Sequence, residues 1–390
     1  MKHGIITTML FCLLSACGAG LAQAQLGDVT YVLTYLGNPT QSQWPDNTPQ
    51  VFARNMWVTR EFSGRLYLGS GDVASNPGPV YIRTFTLATG IFATETIDGV
   101  AYALEEELSN FRMVGGAFVT LGIDPQESWD FGNYYGFAPD VGAWHKYRNI
   151  PNGIHVLDMT LDLYAPKLLV AGTMLDPSSG VKYSWDGATW TDVTCNGGPC
   201  PYGRYYRFFA LAGKLYVQYR ESTLAGRLYE YVSATNDLLE LSSAITSVMM
   251  PNNARRLSDN QPFAGGIVYL AGGVDLGFHP EPTYLMYATA MGTASSIALP
   301  RPTFVPRDLL VIGNTLYLLQ HSTTGSFWST VWKTTDLVTW TEVMFFKTIP
   351  GSGFARSFTH ANGYFYFGLG TYTTPLSNAS GWLVRIAYTP

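Results

Sequence analysis

Short apolar runs return along the chain, each opened by a turn residue: GRLYLG (64–69), GAFVTLG (116–122), PKLLVAG (166–172), GKLYVQY (213–219), GIVYLAG (266–272), NTLYLLQ (314–320) and GYFYFGLG (363–370). The first apolar residue of each core is Leu66, Phe118, Leu168, Leu215, Val268, Leu316 and Phe365, spaced 47 to 53 residues apart. A brief apolar or alternating run bounded by Gly, Pro or Asn signals a strand, and its return at a near-constant interval signals a repeat. Downstream stretches such as VYIRTFTLATGIFATETI (80–97), VKYSWDGATWTDV (181–193) and TVWKTTDLVTWTEV (330–343) read as strand, tight turn, strand. Four strands in a unit of about fifty residues is the pattern of a propeller blade.

The expected fold is therefore all-β: a seven-bladed β-propeller of four-stranded antiparallel blades. A pair of β-sandwiches is the alternative, and it leaves the even spacing unexplained. The last unit ends after GWLVRIAY (381–388), one strand short, while DVTYVLTYLG (28–37) belongs to no unit. Pairing the two closes the ring and removes an exposed edge, so the N-terminal strand is expected to complete the last blade.

Composition agrees with many short strands and tight turns. Of 390 residues 14% are aromatic and only 13% charged, with 40 glycines and 22 prolines. Net charge is −5 without a run of like charges, which argues against a nucleic-acid partner. The first residues read as an export signal: Lys2, then an apolar stretch from Ile5 to Leu14 too short to span a bilayer, then small residues. Two cleavage sites compete. Leu14-Ser15-Ala16-Cys17 has the form of a lipobox, which would lipidate Cys17 and anchor the protein. Ala22-Gln23-Ala24 has the form of an ordinary cleavage site and is favoured. The expected organisation is a signal peptide over 1–24 and one propeller domain over 25–390. Its product is secreted or periplasmic, or alternatively lipid-anchored at the envelope, with no transmembrane span beyond the signal. In an oxidising compartment Cys195 and Cys200, in CNGGPC, are expected to form a disulfide. A metal site is less well supported, since no second ligand pair accompanies them.

Ser184-Trp185-Asp186-Gly187-Ala188-Thr189-Trp190 and Thr334-Thr335-Asp336-Leu337-Val338-Thr339-Trp340 resemble the Asp-box (BNR) repeat of sialidase-like propellers. The first lacks a residue between Asp and Gly, and the second has no Gly. In that family the box is a turn between the third and fourth strands of a blade, where both stretches fall. The resemblance implies fold rather than activity. Sialidases cluster three arginines around a carboxylate and use a tyrosine, a glutamate and an aspartate. What that implies here is Arg112, Arg307 and Arg356 for the cluster and Asp124 or Asp130 for the acid. The family's Phe-Arg-Ile-Pro start has no direct counterpart, because Tyr147-Arg148-Asn149-Ile150-Pro151 carries an extra residue.

The arginines carry their own pattern. FARNM (52–56) and FARSF (354–358) place Arg54 and Arg356 at or just before the innermost strand of their units. Arg204, Arg255 and Arg307 sit in similar settings, Arg112 in a looser one, and His155 takes the place in the third unit. If these side chains face inward they ring the channel mouth with forked donors suited to carboxylate, sulfate or phosphate. The competing reading is structural: arginines that tie one blade to the next. The loops between second and third strands share that face. GIDPQESWDFGNYYG (122–136) gathers Asp124, Glu127, Trp129, Asp130 and Tyr134, and GGVDLGFHPEP (272–282) adds Asp275, His279 and Glu281. Carboxylates beside aromatic platforms suit a sugar-binding cleft, and two carboxylates flanking a bond would allow glycoside hydrolysis. The bland reading of any one of these carboxylates is a turn cap. Glu105-Glu106-Glu107 reads as a solvated short helix or turn. No nucleophile elbow, zinc-protease or phosphate-loop motif is present, and no cofactor or metal is implied.

Two functions follow. The first is binding, extended to hydrolysis, of an acidic glycan: Arg54, Arg112, His155, Arg204, Arg255, Arg307, Arg356 and Trp129 hold the ligand, and Asp124, Glu127, Asp130 and Tyr134 supply the chemistry. The second is a non-catalytic scaffold that uses the same face for an envelope protein.

Overall fold

A computed structural model describes residues 24–25, 31, 33–45, 52–73, 75, 78–175, 179–220, 226–254, 256–272, 275–276, 279–323, 327–348, 353–371 and 380–389. The lipobox, Cys17 and nearly all of the signal segment lie outside them, as does Arg255.

Strands dominate, as the alternation predicts, and they form a β-propeller. Five separate blade sheets are present, each with a four-stranded antiparallel core. Their innermost strands are Arg112–Val114, Arg204–Leu211, Leu257–Phe263, Phe304–Ile312 and Phe354–Ala361. The expectation of a seven-bladed propeller is corrected here: five four-stranded blades are present among the described residues. The units beginning at Val58–Phe62 and Gly153–Leu161 are fused into a single ten-stranded sheet. Two short strands, Glu105–Leu108 and Ile123–Pro125, bridge them: Gly71 pairs with Glu107, Ile123 with Glu107, and Ile123 with His155. Repeat spacing records where strands begin, and it is blind to hydrogen bonding between one unit and the next.

The same bridging overturns the reading of Glu105–Glu107 as a solvated helix or turn. The three form a buried strand. The described helix, Ser243–Met249, is capped by Ser242, whose hydroxyl accepts from the Ile245 N–H at 3.4 Å. Ring closure is as expected: Thr34–Gly37 pairs antiparallel with Leu383–Ala387. Cys195 and Cys200 are joined by a disulfide.

Apolar side chains between neighbouring sheets make the core. Tyr67, Phe118, Tyr135 and Trp144 pack in one such cluster, and Phe346, Phe358, Phe365 and Phe367 in another. A second device holds the ring from inside. The innermost strands bulge at Val156/Asp158, Tyr205/Phe208, Ser258/Asn260, Pro306/Asp308 and Ala355/Ser357. A bulge leaves a backbone N–H without its ladder partner. Here the preceding unit supplies one: Asp158 Oδ2 accepts from Phe208 N–H (2.7 Å), Asp259 Oδ2 from Leu309 N–H (2.7 Å), and Asp308 Oδ2 from Phe358 N–H (2.9 Å). Each bond spans fifty residues. Ser357 ends the series by donating to the Met56 carbonyl at 3.0 Å, across the ring closure.

Candidate functional site

The innermost strands enclose a cavity of about 490 Å³ on the propeller axis. Its size falls in the usual range for ligand sites. Among the described residues its wall carries six arginines: Arg60, Arg112, Arg207, Arg256, Arg307 and Arg356. Glu61, Glu107, Asp259 and Asp308 oppose them, and Trp57, Phe111, Phe118 and Tyr206 provide ring faces.

Three of these arginines stand at the strand starts, near one end. Arg307 and Arg356 share the carboxylate of Glu281: Arg356 Nη2 lies 2.7 Å from Oε1, and Arg307 Nη1 pairs with Oε2. The Arg307 Nε–H also donates to His321 Nε2, while His321 Nδ1–H donates to the Ser322 carbonyl at 2.7 Å. Burial, and then Arg307, hold the His321 pKa well below its ordinary value, so the ring is neutral and can accept. Arg356 stacks on Trp57, and Arg256 lies over Tyr206 at 3.9 Å. Gly370 makes room for Arg356, since a Cβ there would stand 2.3 Å from its Cδ.

Arg60, Arg112 and Arg207 form a second group on the same wall. Arg112 is ion-paired with Asp158, whose side chain is wholly buried. Burial, then Arg207 and Arg60, push the Arg112 pKa down to about 9, which leaves it cationic at neutral pH. Arg60 reaches Asp259 only at 4.0 Å. Arg207 has neither an ion pair nor a side-chain hydrogen bond among the described residues, and burial lowers its pKa. Asp259 and Asp308 converge on one donor: Leu309 N–H lies 2.7 Å from Asp259 Oδ2 and 2.9 Å from Asp308 Oδ1. Burial and the neighbouring Asp259 raise the Asp308 pKa well above the carboxylate range, so this pair carries less than two negative charges. Arg60, Arg112 and Arg207, set against Asp158, Asp259 and Asp308, therefore form a group with net positive charge.

Of the residues predicted to hold a ligand, Arg112, Arg307 and Arg356 reach this cavity. Arg54 does not line it. It is fully buried in the turn before Val58–Phe62, so FARNM and FARSF are alike in sequence and unlike in environment. Arg204 and His155 also lie outside the lining; His155 Nε2 is 3.5 Å from Asp124, and burial lowers its pKa. Glu127 and Asp130 pair with Lys146 and Arg148 on the second unit, and Trp129 is exposed nearby. Tyr134 stacks on Tyr147 (4.5 Å) and donates to the Gly187 carbonyl (3.0 Å), with burial pushing its pKa up to about 12. None of Asp124, Glu127, Asp130 and Tyr134 lines the cavity.

The sequence reading passed over Arg60, Arg207 and the bulge aspartates. Asp158, Arg207, Asp259, Asp308 and Ser357 recur at 49 to 52 residues, the period of the apolar runs. A search for polar residues at that period within the innermost strands would have found them.

The two Asp-box-like turns share one geometry. Asp186 Oδ1 accepts from Ala188 and Thr189 N–H, both at 2.8 Å, and Ser184 Oγ from Gly187 N–H at 2.9 Å. Asp336 Oδ1 accepts from Val338 (2.9 Å) and Thr339 (2.7 Å), and Thr334 Oγ1 from Leu337 N–H at 2.9 Å. Gly187 and Leu337 both adopt positive φ, 73° and 64°. Backbone hydrogen bonds hold both carboxyl pKa values down to about 2.

No sequence-family profile and no curated protein matches the chain. Among solved structures it is similar to the computationally designed Ika8 protein, at 9% identity over 88% of this chain and 98% of that one, with a TM-score of 0.48. It is also similar to the WD40 repeats of RRP9 (8% identity, 92% and 97% covered, TM-score 0.48). A third similar chain comes from a mitotic checkpoint complex (6% identity, 98% and 99% covered, TM-score 0.49). The propeller assignment stands on the strand pairings themselves.

Proposed function

We propose that this chain is an exported propeller that binds an acidic glycan in its axial cavity. The single observation that carries the reading is Arg207: a cavity-lining guanidinium without an ion pair or side-chain hydrogen bond among the described residues, with Arg60 and Arg112 close by. A cluster of like charges in a low-dielectric recess is costly unless an anion joins it, and planar forked donors fit a carboxylate or sulfate. Trp57 and Tyr206 also border the cavity, each with an arginine over one face of its ring. The Asp-box-like turns and the apolar leader support a sialidase-like, exported propeller, secreted or periplasmic, with lipidation at Cys17 as the alternative.

Binding is favoured over hydrolysis. Of the four cavity carboxyls, Asp259 and Asp308 accept from backbone N–H groups of the ring and Glu61 accepts from the Gly64 N–H at 2.9 Å, which places them poorly for acid–base work. The test is calorimetric titration of the mature protein with galacturonic acid, alone and as short oligomers. Removing one charged hydrogen-bonding group is worth about 1.5–3 kcal/mol, so Arg207→Ala should weaken binding by about 10- to 100-fold. Binding should also weaken as salt is raised. Arg148→Ala, outside the cavity, should leave affinity unchanged. Equal affinity in wild type and Arg207→Ala would remove the acidic-glycan reading and leave the scaffold.

A further inference from the structure

Glu281 is presented by a stiff segment, Pro280-Glu281-Pro282, that precedes the strand Tyr284–Ala288. Proline fixes its own φ and biases the residue before it toward extended backbone, which restrains the backbone at Glu281. Its two partners come from different units further along the chain, Arg307 from Phe304–Ile312 and Arg356 from Phe354–Ala361. Each oxygen serves one guanidinium, and the arginine side chains are only 4% accessible while that of Glu281 is 16%. The chain thus places its own carboxylate between two arginines that line the cavity. Arg60 and Arg207 are held less closely: Arg60 stands 4.0 Å from Asp259, and Arg207 feels Asp259 and Asp308 without an ion pair or side-chain hydrogen bond to either among the described residues.

We propose that Glu281, which does not itself line the axial cavity but pairs with two arginines that do, is a specificity-determining residue, restricting the cavity to ligands that carry one acidic group. The inference rests on the anionic-ligand reading above. A single carboxylate or sulfate is taken by Arg60, Arg112 and Arg207. A second acidic group on the same ligand meets Arg307 and Arg356 already neutralised, with the Glu281 carboxylate beside it, and like-charge juxtaposition selects against it.

The test titrates galacturonic acid (one carboxylate) and digalacturonic acid (two) into wild type, Glu281→Gln and Glu281→Ala. Unfolding of each variant is followed by tryptophan fluorescence, so that only folded protein is compared. The expected result is that wild type binds the dimer no more tightly than the monomer. Both variants should gain about tenfold for the dimer, with monomer affinity changed by less than about threefold. Wild-type binding of the monomer with no dimer-selective gain in either variant overturns the role of Glu281 and leaves the acidic-glycan reading standing. Absence of binding by all three proteins overturns that reading, and this inference falls with it.

Discussion

Glu105 offers a quantitative test of how this fold treats a buried acid. Its strand lies between Arg65–Gly71 and Ile123–Pro125, and the residue is fully buried. Asn133 Nδ2 and the Tyr135 hydroxyl both donate to Oε1, the latter at 2.8 Å. Gly122 faces the carboxyl so closely that a Cβ there would stand 2.5 Å from it. Burial raises the Glu105 pKa from 4.5 to about 8, against the opposing effect of those two hydrogen bonds. The folded-state value exceeds the unfolded one, so between pH 4.5 and 8 the folded protein keeps a proton that the unfolded chain has lost. Stability is then fully present below pH 4.5 and declines as pH rises through 8. The slope is about 1.4 kcal/mol per pH unit, or at most about 5 kcal/mol over the window. Glu105→Gln keeps the shape and an Oε1 acceptor and removes the titration. Urea unfolding from pH 5 to pH 9 should show the variant gaining on wild type with rising pH, by about 2 kcal/mol or more at pH 8. Glu106, raised to about 8 by burial and then by Asp124 and Asp72, adds its own slope, so the difference between the two curves is the quantity to read. Parallel curves across pH 5–8 would refute the argument.

Three further outcomes follow from the same geometry. Arg112→Ala leaves Asp158 buried without its cation and should cost about 3 kcal/mol or more in urea unfolding, whereas Arg207→Ala should cost under about 1 kcal/mol. Gly370→Ala forces Arg356 and Asn55 aside, so unfolding should show a loss of about 1–3 kcal/mol, and calorimetry should show altered selectivity between galacturonic and digalacturonic acid. Asp186 and Asp336 have folded pKa values held below their unfolded ones, so their contribution is present above pH 4 and lost as pH falls through about 2. Asp186→Asn and Asp336→Asn should flatten the acid limb of the stability curve by similar amounts, read by thermal unfolding between pH 2 and 5.

Much of the architecture was legible without coordinates. Alternation and turn residues are local properties of the backbone, so the strands around Leu66, Leu215 and Leu316 stand where the pattern puts them. The Thr34–Gly37 closure and the Cys195–Cys200 bond were equally readable, one from an orphan strand and the other from spacing. Arg112, Arg307 and Arg356 lie on innermost strands and reach the cavity as their place in the repeat suggested, whereas Arg204, in a like place, does not. Tertiary structure decided the rest. Whether two units stay apart or fuse depends on hydrogen bonds between Gly71 and Glu107 and between Ile123 and His155, and no interval in the chain records those. Arg54 and Arg356 have nearly identical neighbours in sequence, yet one is sealed in a turn and the other faces the axis. Sign and spacing could not reveal that Glu281 would cross to the arginines of two later units, or that Arg207 would face Asp259 and Asp308 without an ion pair to either among the described residues. Such charge pairing is settled by distances between residues far apart in the chain, and these exist only once the ring has closed.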